Sequence, residues 1–340
     1  MHRFALSFPS FIFVVLVSMA VTLFGHQTTS RAAEPTIAEI MNAVVEVHAE
    51  IRSDARTLET LGPTRTGSGV LIGKDGLVLT IGYVIMEAKR LTVRSREGVS
   101  VEADAVAYDH ESGLGLVRAK RPLGVNPLEI GDSGVLKEKS RLLVVSVGDV
   151  SPVTPVMVVS RRPFAGYWEY LLESAIFTMP PHREYGGAAL VDQSGRLVGI
   201  GSLFINDAPG PEQQGFGNMF VPVSLLKPIL ADLDKPETPR ANAGPWLGVY
   251  TQEIENHLVI TRLAVEGPGE QAGLRPGEVI LGVDGQRVKG MADFFRKIRA
   301  RGNAGTDVSL DILTFKADDM SVRQVSVTSR DRHGWLRLKD

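Results

Sequence analysis

The residues of this chain that could serve as nucleophile, base or metal ligand are few and scattered. It has no cysteine, which excludes disulfides, thiolate zinc sites, a cysteine nucleophile and a lipidated N-terminal Cys. Ser68, Ser112 and Ser194 stand beside glycines or acidic residues and read as turn and strand-end serines. Between residues 34 and 234 the histidines are His48, His110 and His182. His182 and Glu184 lie two apart on one loop, a spacing at which an imidazole and a carboxylate can pair or share a cation; two ligands without a third make a poor metal site, so no metal is expected. The most distinctive stretch follows directly: Glu184-Tyr185-Gly186-Gly187-Ala188-Ala189-Leu190-Val191. A Gly-Gly pair, an apolar run, the polar turn Asp192-Gln193-Ser194-Gly195 and a second apolar run spell a β-hairpin entered through a tight backbone turn.

Short strands surround it. Residues 43–51 end in apolar/polar alternation, and residues 67–73 and 77–80 flank the turn Lys74-Asp75-Gly76 as a second hairpin. Runs at 91–94, 101–106, 115–118 and 142–147 continue the series, which predicts an all-β barrel or sandwich. Upstream, the apolar run over residues 4–24, followed by Ser30-Arg31-Ala32, is expected to be a signal peptide within residues 1–33, or else an uncleaved membrane anchor. Residues 235–244, with Pro236, Pro239 and Gly244, read as a linker. The segment Ser160 to Tyr170 carries Phe164, Tyr167, Trp168 and Tyr170; an ordinary loop packed on the barrel is expected, with a partner surface as the alternative.

With these elements in place, the chain resembles the HtrA (DegP) family of trypsin-like serine proteases. The family's nucleophile loop, Gly-Asn-Ser-Gly-Gly-Ala-Leu-Val, lies over residues 184–191 and puts its serine at Gly186. Thr80-Ile81-Gly82-Tyr83-Val84-Ile85 is similar to Thr-Asn-Asn-His-Val-Val, so Tyr83 stands at the general base. Asp109 to Leu116 resembles Asp-x-x-Ser-Asp-Leu-Ala-Leu, with Gly113 at the aspartate that orients that base. Phe216 to Pro222 is similar to the strand that closes the second barrel. The resemblance implies a mostly β fold, a trypsin-like double β-barrel over residues 34–234 followed by a PDZ domain over 245–335. That second domain is carried by Ala272-Gly273-Leu274-Arg275-Pro276-Gly277-Glu278-Val279-Ile280 and Val283-Asp284-Gly285, which resemble the PDZ signature Ala-Gly-Leu-x-x-Gly-Asp-x-Ile and its Val-Asn-Gly. It further implies a peptide groove formed by Trp246, Leu247, Gly248 and Val249 as carboxylate loop and strand, with Phe295 and Ile298 on a helix over 291–301.

The chemistry does not survive the substitutions. A serine hydroxyl needs a base to take its proton and a third group to hold that base; here the hydroxyl is absent, the base is a phenol with an ordinary pKa of about 10, and the orienter is glycine. Glu184 replaces the family's first loop glycine and brings a carboxylate to a site built for a negative transition state. The expectation is a protein without catalytic residues or cofactor, whose PDZ domain binds extended or C-terminal peptides of envelope proteins. It would act as an adaptor or chaperone, or by regulating an active HtrA protease through mixed assembly or family-like trimers, outside the cytoplasm in the periplasm or cell envelope. A working serine endopeptidase with an atypical site is the alternative. A net charge of -2 gives no reason to expect nucleic acid.

Overall fold

The computed structural model of the chain describes residues 1–2, 34–148, 151–233, 243–316 and 319–338. The expected leader or anchor falls outside the described residues, as does all of the linker except Ala243 and Gly244. Thr36 opens the helix Ile37–Ala43: its hydroxyl accepts from the Glu39 N–H while the Glu39 carboxylate accepts from the Thr36 N–H.

Two closed six-stranded antiparallel barrels follow. The first contains β1 (Val44–Ile51), β2 (Thr64–Leu71), β3 (Leu77–Ile81), β4 (Ala88–Arg94), β5 (Ser100–Tyr108) and β6 (Leu114–Ala119), in the order β1-β2-β3-β6-β5-β4. The second contains β7 (Arg141–Val145), β8 (Val153–Gly166), β9 (Tyr170–Met179), β10 (Ala189–Val191), β11 (Leu197–Ile205) and β12 (Gly217–Pro222), in the order β10-β11-β12-β9-β8-β7. Closure leaves neither sheet with an open edge. Val47, Val93 and Leu116 are fully buried in the first barrel, and Val144, Leu190 and Phe220 in the second.

The segment expected to be a loop on the barrel is instead a long hairpin. β8 pairs with β9 out to Gly166–Tyr170, leaving Tyr167, Trp168 and Glu169 as a three-residue turn. Glu169 closes it in the left-handed region at φ 60°, the usual geometry for a turn of this length. Gly166 is needed because a Cβ there would lie 2.9 Å from the Trp168 ring. Rather than lying back on its barrel, the tip reaches the third sheet.

That sheet is the PDZ domain: β13 (Val249–Ile254), β14 (His257–Leu263), β15 (Val279–Val283), β16 (Gln286–Arg287), β17 (Asp307–Lys316) and β18 (Asp319–Thr328), ordered β13-β14-β15-β17-β18 with β16 on β15. The helix Met291–Arg299 turns Phe294, Phe295 and Ile298 into the core and carries Arg296, Lys297 and Arg299 in its last turn. Beyond β18 the chain returns to the first barrel: Trp335 packs on Trp246 with ring centroids 4.9 Å apart, and Leu336 joins Met86 and Tyr108.

Candidate functional site

Tyr83 leaves β3 on the single helical turn Gly82–Ile85, which buried Arg65 fixes in place. One Arg65 guanidinium nitrogen donates to the carbonyls of Tyr83 and Met86, both at 2.9 Å, and the other bonds the Thr57 hydroxyl at 2.8 Å. Burial lowers the Arg65 pKa to about 10, with nearby Glu87 opposing, so the group stays charged at neutral pH. The Tyr83 hydroxyl donates to the Ser202 carbonyl at 3.0 Å. Burial, with a smaller effect from Tyr185, pushes its pKa well up, so it is a neutral phenol. It stands directly over the loop, because a Cβ built on Gly186 would be 2.9 Å from the Tyr83 oxygen. At the third position the pattern repeats. Gly113 has φ 75°, and a Cβ there would lie 2.9 Å from the Tyr170 ring and 3.2 Å from its hydroxyl, which donates to the Ser112 carbonyl at 2.7 Å. Asp109, whose carboxylate accepts from the Ser112 N–H at 2.8 Å, is spent on holding that turn. With the Gly82 N–H on the Gly113 carbonyl at 2.7 Å, Tyr83, Gly113 and Gly186 thus come together where the barrels meet, and none of the three side chains can take up or lose a proton near neutral pH.

The rest of the loop is fixed by backbone pairing. Ser68 donates its N–H to the Gly186 carbonyl at 2.8 Å, and Gly187, at φ 76°, donates to Gly201 at 2.9 Å. His182 and Glu184 do approach, with Nε2 4.0 Å from the carboxylate. His182 is only 2% exposed: its ring meets the Ser146 hydroxyl at 2.9 Å and the Thr154 hydroxyl at 2.8 Å. Burial depresses its pKa, with Glu184 pulling the other way. No group of three potential metal ligands occurs among the described residues. Ser194 sits in the β10–β11 turn with its N–H on Asp192, and the Ser68 hydroxyl accepts from Val147 at 3.2 Å.

The expected groove residues also assemble. Gly248 has φ 73°, which turns the Leu247, Gly248 and Val249 amides toward one point. Phe295 and Ile298 lie beside them in the same buried cluster as Leu247 and Val249. Trp246 is placed differently: its backbone pairs with Arg330 in both directions and its ring packs on Trp335. At the point where the amides converge lies a carboxylate of the chain itself. Glu169 accepts from Leu247 at 2.9 Å and from Val249 at 2.6 Å. Thr251 in β13 donates to the Tyr167 carbonyl at 3.2 Å, and Leu171, 2% exposed, belongs to the Phe295–Ile298 cluster. Arg299 donates to the Leu171 carbonyl at 3.2 Å, and Arg296 grips Glu173 with its Nη2 at 2.6 Å. Tyr167 and Glu169 fall in the segment whose alternative reading is a partner surface, although the sequence assigns neither to the groove, and Leu171 lies just beyond it.

Comparison with known proteins agrees with this architecture. Residues 67–200 match the trypsin-like peptidase domain family, and residues 259–314 the PDZ domain family. The "Probable periplasmic serine protease do/HhoA-like" of Haemophilus influenzae is 25% identical over 268 residues, 73% of this chain and 55% of its own length. The "Probable periplasmic serine endoprotease DegP-like" of Rhizobium meliloti is 26% identical over 272 residues, 74% of this chain and 51% of its own. A trypsin-like peptidase domain followed by a PDZ domain, together with these relatives, makes the chain similar to HtrA-like serine proteases. It spans about half the length of the curated relatives it matches. Among solved structures, a variant of the HtrA-type protease AlgW with a tripeptide superimposes with a TM-score of 0.53 at 21% identity, covering 86% of this HtrA-like chain and 95% of that one. AlgW with a decapeptide gives 0.52, also at 21% identity, covering 86% and 97%. These two share its fold.

Proposed function

We propose that this HtrA-like chain is a pseudoprotease of the cell envelope. Its PDZ domain binds extended or C-terminal peptides of exported proteins, and it acts as an adaptor or chaperone, or as a regulator of an active HtrA protease with which it assembles. The observation that carries this reading is the Tyr83 hydroxyl over Gly186: base and nucleophile positions hold a neutral phenol and a hydrogen atom, with the phenol's proton committed to Ser202. Without a nucleophile no acyl intermediate can form, and without a base no water can be activated in its place. The relatives named above are periplasmic proteases by name, and the AlgW structures carry peptides, which supports the compartment and the ligand class.

A second reading, a serine endopeptidase with an atypical site, is favoured by one contact, the Ser146 hydroxyl 2.9 Å from His182 Nε2. Against it, Ser146 is fully buried, and the other ring nitrogen faces a Thr154 hydroxyl rather than a carboxylate. A fluorophosphonate probe and unfolded casein decide between them. The pseudoprotease neither takes the label nor cleaves; labelling that disappears in Ser146→Ala would establish the endopeptidase.

A further inference from the structure

The groove is filled from within. We propose that residues Tyr167 to Leu171 are an internal ligand of the PDZ domain, with the Glu169 side chain standing in for a chain terminus, so that an outside peptide binds only by displacing this hairpin tip. The proposal rests on the reading that the groove takes peptide chain ends.

The correspondence runs atom by atom. A chain terminus docking on such an edge offers a carboxylate to the loop amides, a backbone carbonyl two residues upstream to the neighbouring strand, and an apolar side chain to the pocket beside the helix. Here the Glu169 carboxylate takes the Leu247 and Val249 amides, at 2.9 and 2.6 Å. The Tyr167 carbonyl, two residues upstream, takes the Thr251 amide at 3.2 Å. Leu171 supplies the apolar group among Leu247, Phe295 and Ile298. Because the tip is tethered to the barrel, docking it costs far less freedom than binding a free peptide, so the closed arrangement competes at a high effective concentration. Arg296 on Glu173 and Arg299 on the Leu171 carbonyl close the far side of the tip. The external ligand must therefore bring a free carboxylate and an apolar last residue together; either alone meets a filled site.

The test uses the full chain and two readouts. The probe is a fluorescein-labelled decapeptide with the Ser160–Trp168 sequence followed by a C-terminal leucine, beside its C-terminally amidated twin. Glu169→Ala is expected to bind the free-acid peptide about tenfold or more tightly than the parent, and the amidated twin weakly. Independently of any peptide, hydrogen exchange over Leu247 to Val249 should be slow in the parent and about tenfold or more faster in Glu169→Ala. Leu171→Ala, which keeps the carboxylate but removes the apolar anchor, should move both readouts the same way. Equal exchange in parent and variants overturns the internal ligand whatever the peptides do, as does equal affinity for the free acid. Faster exchange with no peptide bound by any of the proteins overturns the competition, and traces the failure to the peptide-binding reading rather than to the docked tip.

Discussion

Restoring the serine at Gly186 should damage the protein without reviving it. In Gly186→Ser the new Cβ would lie 2.9 Å from the Tyr83 oxygen, closer than unbonded atoms of these types settle, and the added hydroxyl needs room as well. Tyr83 must move, and its bond to Ser202 at 3.0 Å goes with it. Overpacking costs about 1–3 kcal/mol and the lost hydrogen bond about 1 kcal/mol, so the variant should be less stable by roughly 2–4 kcal/mol. The same substitution in a Tyr83→Ala background meets no ring and should cost under about 1 kcal/mol, giving a coupling energy of about 1–3 kcal/mol in a double-mutant cycle. Urea denaturation followed by tryptophan fluorescence reads both numbers, provided the m-value is unchanged. A cost below about 0.5 kcal/mol in the parent, or an equal cost in both backgrounds, would refute the placement of Tyr83 over the loop. Neither variant should take a fluorophosphonate label, because neither supplies a base.

Two further outcomes follow from the hairpin tip. Burial drives the Glu169 carboxyl up to about 7, against the Leu247, Val249 and Gly248 amides and the charge of Arg332, which lower it. A carboxyl raised on docking favours docking fully below its free value and loses that advantage as pH rises through the docked one, so the tip should hold about tenfold less firmly at pH 8 than at pH 6. Peptide affinity of the parent should rise accordingly over that interval. Glu169→Gln should flatten the profile while leaving His110 and His333 in place; a slope that persists in it would assign the titration elsewhere. Gly113→Ala should also open the groove, since its Cβ would press on the Tyr170 ring at 2.9 Å from a backbone already at φ 75°. A destabilisation of about 1–3 kcal/mol together with faster exchange at Leu247 to Val249 is expected, and unchanged exchange would uncouple the cleft from the groove.

Much of this fold was legible because barrel strands alternate and their turns are marked by glycine. The hairpins at 67–80 and 184–200 and the apolar face of the helix at 291–299 follow from period and turn chemistry alone. The assignment of Tyr83, Gly113 and Gly186 to catalytic positions rests only on the family's motifs, since nothing local distinguishes Tyr83 or Gly113 from any other strand-end residue. What fills the cleft was not legible. Tyr170 lies 57 residues beyond Gly113 in the chain and reaches it only after the second barrel has closed. The Glu169 carboxylate meets amides about 80 residues away, a contact that no local pattern encodes. The aromatic run from Phe164 to Tyr170 was visible, but a packed turn and a docking tip have the same composition. Their difference lies in what stands opposite.

The hairpin tip lies between the cluster of Tyr83, Gly113 and Gly186 and the amides of Leu247 and Val249. Glu169 and Leu171 point to the PDZ domain, while Tyr170 between them, 1% exposed, points the other way and donates to Ser112 beside Gly113. An aspartate at position 113 and a tyrosine hydroxyl at the end of residue 170 cannot occupy the same space on this backbone. In Gly113→Asp, Tyr170 is therefore expected to withdraw and to draw Glu169 and Leu171 out of register with Leu247 and Val249. Position 113, which the resemblance sets at the family's orienting acid, would on this account be the one whose lack of a side chain lets the tip seat. Exchange at Leu247 to Val249 in Gly113→Asp as slow as in the parent would refute this link.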